Sequence, residues 1–270
     1  MLDVSAVRVT LLCTVRSCAL PLALGGRSYT CANSHSFDVA RSGYVNLLQP
    51  QDRRSSQPGD TAAAVSARRR FLSLHGSPLD LSTYFADVDT LLDVGCGEGH
   101  HLATLPPTTE AHGVDISVPA IDAAARRYRH ALFVVANADR FLPYADASFA
   151  AVTSITARMN PPEFRRVVRP DGRLLVALPA PDDLLELRTV ILGEPSDRDR
   201  APRTIELFAS FFTLERQQRV TQKAQLDPQS IEDVMTSSYR GLRTRERERM
   251  QALGTMEVTM SRDVLVFVPR

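Results

Sequence analysis

From residue 88 onward, short apolar runs recur with stretches of helical periodicity between them. The runs Thr90–Val94, Ala111–Val114, Ala131–Val135, Ala150–Ile155 and Arg173–Leu178 read as buried strands, and Ser117–Tyr128 and Pro162–Val168 read as helices. Alternation of this kind predicts an α/β domain built on a mostly parallel sheet. Met256–Met260 and Asp263–Val268 lie too close together for a crossover helix. A hairpin is expected there, and with it an antiparallel end to the sheet.

Upstream the pattern changes twice. Residues 1–40 carry cysteines and histidine and read as a small module. Residues 41–82 are polar and Arg-rich, broken by Gly43, Pro50, Pro58, Gly59, Gly76 and Pro78, and read as a linker with one helix. That helix starts at Asp60 or Thr61, either of which can cap it. It runs through Ala62, Ala63, Ala64, Val65 and Ala67 into Arg68, Arg69, Arg70, Phe71 and Leu72. Residues 83–270 form the main domain.

Composition narrows the class. The chain has 270 residues, 44% hydrophobic and 23% charged, with a formal net charge of +1, which excludes a uniformly basic nucleic-acid coat but not a local basic surface. Lys223 is the one lysine among 32 cationic side chains, so arginine supplies the positive charge. No apolar run approaches the roughly 18 residues of a membrane span. Val4–Leu24 is interrupted by Arg8 and Arg16 and fits a secretory leader poorly, so a cytoplasmic protein is expected.

The sharpest chemical signal is Asp93-Val94-Gly95-Cys96-Gly97-Glu98-Gly99, a strand running into a loop with glycine at alternate positions. Glycine there permits positive φ and close approach of a ligand to the backbone. The spacing is G-x-G-x-G rather than the dinucleotide G-x-G-x-x-G, which favours a nucleoside without a pyrophosphate. Asp115, followed by Ile116 and Ser117, ends the second strand at the offset where a carboxylate accepts ribose hydroxyls. Asn137, followed by Ala138, ends the third strand and offers an amide to an adenine edge. Cys96 reads as a small loop residue rather than a nucleophile.

A second cluster lies near the start. Cys13-x4-Cys18 and Cys31-x3-His35 offer three thiolates and one imidazole, a tetrahedral set suited to structural zinc, with Gly25-Gly26 as a turn between the pairs. The competing reading is three small buried hydrophobes and a surface histidine.

These residues resemble class I S-adenosylmethionine-dependent methyltransferases. More specifically, Phe37–Leu48, Pro58-Gly59-Asp60, Ala67–Leu72, Asn160-Pro161-Pro162-Glu163 and Asp183–Leu187 resemble the RlmA family of bacterial 23S ribosomal RNA guanine-N1 methyltransferases, a family that includes a branch known from tylosin-resistance determinants. The resemblance implies a doubly wound, seven-stranded sheet with an N-terminal zinc module across a cleft, usually as a homodimer. It implies methyl transfer to N1 of a guanosine in a 23S hairpin loop lining the exit tunnel. By position, zinc falls on Cys18, Cys31 and His35, with Cys13 two places upstream of the first expected ligand, where Val15 stands. Cofactor contacts fall on Gly97, Glu98 and Asp183. The sequence departs from the pattern at His75-Gly76-Ser77, where a cofactor-touching tyrosine is expected nearby, at Thr156-Ala157-Arg158 and at Pro170-Asp171-Gly172.

Guanine N1 is protonated at neutral pH, so a proton acceptor is required. Family position puts Asn160, which can only orient, and Asp183 near the methyl group. Asp183 is a base, a cofactor ligand or a helix cap. For RNA, Arg41, Arg53, Arg54, Arg68, Arg69 and Arg70 are candidate phosphate partners. The alternative for Arg68 to Arg70 is a solvated helix face. Tyr44 is either a stacking platform or core. The run Arg240, Arg243, Arg245, Arg247 and Arg249 is interleaved with Glu246 and Glu248, which reads as an exposed, salt-bridged helix.

Overall fold

A computed structural model describes residues 9–53, 55, 57–193, 199–238 and 243–270. Arg54, Arg240 and Val4–Arg8 of the first apolar stretch lie outside the described residues.

The N-terminal module is a small antiparallel sheet, β1 (Ala23–Gly25), β2 (Ser28–Thr30) and β3 (Ser36–Asp38), in that order. The β1–β2 turn is made at Gly26-Arg27, directly after Gly25, with Gly26 at φ +63°. Before β1, the 13–18 loop is closed by Cys13 N–H donating to Leu20 O. Between β2 and β3, the 31–35 loop is closed by Cys31 N–H donating to His35 O. Each loop therefore presents a pair of candidate ligands from a backbone-bonded turn.

The main sheet has the spatial order β10-β11-β9-β8-β5-β6-β7-β4. Its members are β4 (Val45–Asn46), β5 (Thr90–Val94), β6 (Glu110–Asp115), β7 (Ala131–Val135), β8 (Phe149–Ile155), β9 (Val168–Pro179), β10 (Phe212–Leu226) and β11 (Met256–Pro269). Neighbours from β9 to β4 are parallel, whereas β11 runs antiparallel to both β9 and β10. Seven strands come from the main domain, as expected. The eighth, β4, belongs to the stretch read as linker and pairs Val45 with Val134 of β7.

The hairpin expectation at the end needs correction. Met256–Pro269 is one continuous strand, and its antiparallel partner is Phe212–Leu226, which sequence reasoning missed. The polar Ser261-Arg262-Asp263 step looked like a turn. Ser261 is in fact buried, and Asp263 faces Arg219 across the strand pair, with Arg219 Nε 2.8 Å from Asp263 Oδ1. The edge strand β10 hides because its solvent face is polar and charged, which also blunts the edge against further pairing.

Alternating positions on each strand feed two cores, one on either face of the sheet. Leu92, Val134, Val152, Leu174 and Phe267 share one face with α3 (Pro161–Val167) and α5 (Ala201–Phe208). Leu91, Phe133, Ala151, Leu175 and Val266 share the other with α2 (Val118–Arg127). The first core also contains Leu11, Cys13, Leu22, Cys31, Val45 and Leu47, so the N-terminal module is packed as an extension of it. Backbone bonds stitch the same region: Leu12 N–H donates to Pro143 O, and Ala145 N–H to Thr10 O.

Helix α1 (Ala62–His75) is capped by Thr61, whose Oγ1 accepts from Ala64 N, and Gly76 follows it at φ +70°. It packs on α6 (Pro228–Ser238) through Phe71 and an Arg70–Asp233 ion pair at 2.6 Å, in a third core shared with α4 (Leu185–Leu192). Directly after the glycine loop the chain makes only a five-residue 3-10 turn, His100–Thr104, ended by Leu105-Pro106-Pro107. Helix α7 (Thr244–Gln251) buries none of its residues, in keeping with an exposed charged helix. No described helix is long and apolar enough to cross a membrane.

Candidate active site and metal centre

The strand order reverses at β5, with β6 on one side and β8 on the other. In open α/β sheets such a switch point opens a crevice at the carboxyl ends of the strands. The Gly95–Gly99 loop lies there. All three glycines have positive φ, +77°, +54° and +75°, a region that costs other residues about 1–2 kcal/mol each. Space is as demanding as angle. A Cβ on Gly95 would lie 2.3 Å from the Ala157 Cβ, and one on Gly99 would lie 3.0 Å from Phe133 Cζ. The Thr156-Ala157-Arg158 departure thus forms the turn that packs against the loop.

Asp115 ends β6 facing the loop. Its Oδ2 accepts from Gly97 N at 3.0 Å and its Oδ1 from Ser117 N at 2.8 Å. Burial pushes its pKa up, and those two amides counter the shift in part. Asp93 is 2% exposed beneath the loop and accepts from Thr153 Oγ1 at 2.7 Å. Burial pushes its carboxyl up to about 7. Ile116 is half-buried against the α2-side core. Cys96 is buried, and burial pushes its thiol well up, so it makes a poor nucleophile.

Arg68 departs from its expected phosphate role. Its Nε donates to Glu98 Oε2 at 2.8 Å and its Nη1 to Asp60 Oδ2 at 2.7 Å, so it turns into the crevice over Gly97. Burial opposes its charge, but the two carboxylates outweigh burial and hold the guanidinium firmly protonated. A signal for this lay in the sequence: Arg68 is four residues after Ala64 and three before Phe71, on the stripe α1 buries. Asp60, read only as a cap candidate, was missed as a member of the site. Its carbonyl also accepts from Ser117 Oγ, 2.8 Å away, which lays residues 59–60 across the start of α2.

Three other expected contacts sit differently. The Asn137 amide donates to Asp52 O at 2.9 Å and its oxygen accepts from Asp139 N, so both ends are committed to loops rather than turned toward an adenine. Asn160 donates to Ala138 O and Asp139 O, tying the β8–α3 turn to the end of β7 and positioning backbone instead of reacting groups. Asp183 is buried. Its Oδ1 accepts from Ser261 N at 2.8 Å and pairs with Arg262, fastening the β9–α4 loop to β11. Among the RNA candidates, Arg41, Arg53 and Arg69 are exposed, Arg70 is spent on Asp233, and Tyr44 is half-buried against the α2-side core.

The metal candidates converge. One ligand atom from each of Cys13, Cys18, Cys31 and His35 lies within 4.8 Å of all the others. Cys13 Sγ is 3.4 Å from His35 Nδ1, and Asn33 Nδ2 donates to Cys18 Sγ at 3.5 Å, the kind of outer contact that orients a ligand. Burial, reinforced by the adjoining Cys18 and Cys31 thiols, pushes the Cys13 thiol up to about 12, so a bound cation is what makes a thiolate tenable there. The looser x4 spacing is absorbed by the backbone turn at Val15–Cys18. The donor set, three sulfurs and one nitrogen, fits zinc.

The crevice also fits a nucleoside bearing an amino-acid tail. Beside the loop, Glu98 Oε1 and Arg68 Nη2 are buried without a hydrogen-bond partner among the described residues. Between the metal loop and the end of β7 lies a cavity of about 280 Å³ lined by Thr14, Arg16, Leu47, Asp52, Asn137 and Phe141.

Comparison with known proteins agrees with both halves. The family described as "RlmA, N-terminal", a zinc ribbon, matches residues 12–56, and a methyltransferase domain family matches residues 91–175. The 23S rRNA (guanine(748)-N(1))-methyltransferase of Streptomyces fradiae is 38% identical over 231 residues, covering 81% of each chain. A Micromonospora griseorubida protein, provisionally named a 23S rRNA (guanine-N(1)-)-methyltransferase, is 39% identical over 60% of this chain and 62% of its own. The 27-O-demethylrifamycin SV methyltransferase of Amycolatopsis mediterranei is 27% identical over 64% of this chain and 70% of its own. With its zinc ribbon, its S-adenosylmethionine fold and a relative matched along four-fifths of its length, this chain belongs to the RlmA family of rRNA (guanine-N1)-methyltransferases.

Proposed function

We propose that this chain methylates N1 of a guanosine in a hairpin loop of 23S ribosomal RNA, in the cytoplasm and as a homodimer. The observation that carries the reading is the shared core. Cys13 and Cys31 of the ribbon pack into the same apolar layer as β5 and β7, so the RNA-facing module is held rigidly beside the cofactor crevice. A loose tether would not align a base with a reacting carbon.

S-adenosylmethionine, when bound, supplies an electrophilic methyl group on a sulfonium. The chain's own contribution is placement, and in-line displacement gains most from alignment; S-adenosylhomocysteine would leave as the N1–carbon bond forms, and the N1 proton would go to solvent water, because Asp183 is held by Ser261 N and Arg262. The Gly95–Gly99 loop gives the cofactor's amino-acid end close access to backbone, and Asp115 accepts from the ribose while Gly97 and Ser117 hold its carboxylate still. Asn160 fixes the β8–α3 turn, whose Ala157 packs on the loop. Asp183 anchors Arg262 and the β9–α4 loop along the last strand. The RNA approaches over the ribbon, where Arg41 and Arg53 are exposed and the 280 Å³ cavity opens toward the end of β7.

Primer extension tests this. A methyl at N1 blocks pairing, so 23S RNA treated with enzyme and cofactor should gain one strong stop beside a guanosine. The rifamycin-type relative supplies the competing arm: 27-O-demethylrifamycin SV offered under the same conditions should remain unmethylated. Methylation of that compound with no new RNA stop would overturn the reading. Sedimentation of the purified chain checks the homodimer.

A further inference from the structure

The cavity of about 280 Å³ beside the metal loop takes its walls from both modules. Arg16 comes from the ribbon's first ligand loop, Asp52 from the turn after β4, and Asn137, Arg140 and Phe141 from the loop after β7. The space exists only because the ribbon is docked. Its size decides what can enter. Pockets for whole small-molecule ligands run to about 300–1,000 Å³, so this one suits a single planar ring system rather than a length of chain.

The walls are set for such a ring. Phe141 has the Arg166 guanidinium 5.0 Å from its ring centroid, and that guanidinium is locked in turn to Glu163 at 2.6 Å and to Leu142 O at 2.7 Å. The aromatic surface is therefore held still before anything stacks on it. Asp52, with a side chain only 8% exposed, pairs with Arg140. A buried ion pair adds little to stability once desolvation is counted, whereas at a cavity wall it presents an acceptor beside a donor. The Asp52 carbonyl accepts from Asn137 Nδ2 at 2.9 Å, which fixes the pair to the end of β7. Arg16 is exposed.

We infer that the cavity receives one unpaired nucleobase of the RNA loop, a neighbour of the target guanosine, stacked on Phe141 with its hydrogen-bonding edge toward Asp52 and Arg140 and its phosphate toward Arg16. Loop bases of RNA are recognised in this way, by an aromatic platform together with polar contacts to the Watson–Crick edge. The place fits as well as the chemistry. β7 lies beside β6, with Val135 opposite Asp115, and adjacent strands are about 4.8 Å apart. A base seated here is next to the cofactor crevice, and holding the neighbour turns the target toward the methyl group. The inference rests on the RNA reading of the ribbon and deepens it, since the ribbon then supplies half of a base pocket as well as a docking surface.

Abasic scanning of the substrate tests it with the full chain. The RNA is the hairpin around the primer-extension stop, made with each loop nucleotide other than the target abasic in turn, and KM and kcat are read separately. With the wild type, one position near the target should raise KM by about tenfold or more, the range of one base stacked on an aromatic ring. Phe141→Leu should raise KM for the intact hairpin by a similar factor and remove the sensitivity to that one position, leaving the others as they were. Its affinity for S-adenosylhomocysteine, read by calorimetry, should change by less than about threefold. If Phe141→Leu does not fold, Arg140→Gln, altered at a side chain 35% exposed, takes its place with the same expected loss of sensitivity. Sensitivity that persists unchanged in the folded variant overturns the inference, as does a loss of S-adenosylhomocysteine affinity equal to the loss of RNA affinity. If the hairpin is methylated and no neighbouring position is sensitive, the RNA reading stands and only this inference fails. If no hairpin is methylated, both fail.

Discussion

Replacing Gly95 with alanine separates two costs that the loop imposes. The first is conformational: φ is +77°, where a residue with a Cβ loses about 1–2 kcal/mol. The second is steric. The new Cβ would stand 2.3 Å from the Ala157 Cβ. Carbon pairs rest at about 3.5–4.0 Å, so the loop and the β8–α3 turn must part by more than about 1 Å. Overpacking of that kind costs about 1–3 kcal/mol. The sum, about 2–5 kcal/mol, is a large part of a typical domain's stability. Gly193→Ala is the control for the first cost, since it is left-handed at φ +72° and ψ +11° and the added carbon meets nothing closer than the Arg249 guanidinium at 3.4 Å, and Gly25→Ala has open space and no left-handed angle. Urea unfolding should rank them Gly95→Ala, then Gly193→Ala, then Gly25→Ala. The double variant Gly95→Ala/Ala157→Gly should recover the steric part, about 1–3 kcal/mol, and leave the conformational part. If Gly95→Ala is no worse than Gly193→Ala, or Ala157→Gly gives no rescue, the loop does not pack as described.

Three further outcomes follow from the same geometry. Asp115→Ala removes the acceptor for two amides and, in the proposed cofactor site, for the ribose; stability should fall by about 1–3 kcal/mol and cofactor affinity by about tenfold or more, read by thermal melts and calorimetry. Asp93 holds its proton up to about pH 7 when folded but releases it near 3.8 when unfolded. The folded state therefore binds the extra proton between those values, stability declines as pH rises through that window, and the decline levels off above it. The total is at most about 4 kcal/mol. Asp93→Asn should flatten the profile, and an unchanged slope by urea unfolding from pH 4 to 8 would refute the assignment. Metal analysis of the intact chain should find one zinc per chain, lost with Cys31→Ser and with chelation, and either treatment should lower the melting temperature.

Much of this site was legible before any coordinates. Strands β5 and β7 match their apolar runs end to end, because a strand buried on both faces has no polar positions to blur its edges. The ribbon was legible because four metal ligands leave a spacing, and the glycine loop because positive φ leaves glycines. What escaped obeys weaker rules. β10 is an edge strand with a polar solvent face, so its composition resembles loop. The break read at Ser261–Asp263 disguised a cross-strand Arg219–Asp263 pair. Asn137 has the right address for an adenine, yet Asp52 claims its amide from 85 residues away in sequence, a contact no local pattern announces. Arg68 lay inside a run of three arginines whose charge suggested solvent, while its helical phase pointed inward.

The central claim is that one crevice, bounded by Gly95–Gly99 and Asp115, carries the methyl donor to a guanine on RNA delivered by the ribbon. The most direct measurement is nucleoside mass spectrometry of protein-free 23S RNA after incubation with isotope-labelled S-adenosylmethionine. The account predicts label in 1-methylguanosine alone, approaching one per RNA with the wild type and absent with Asp115→Ala. Label in any other nucleoside, or an Asp115→Ala variant as active as the wild type, would contradict it.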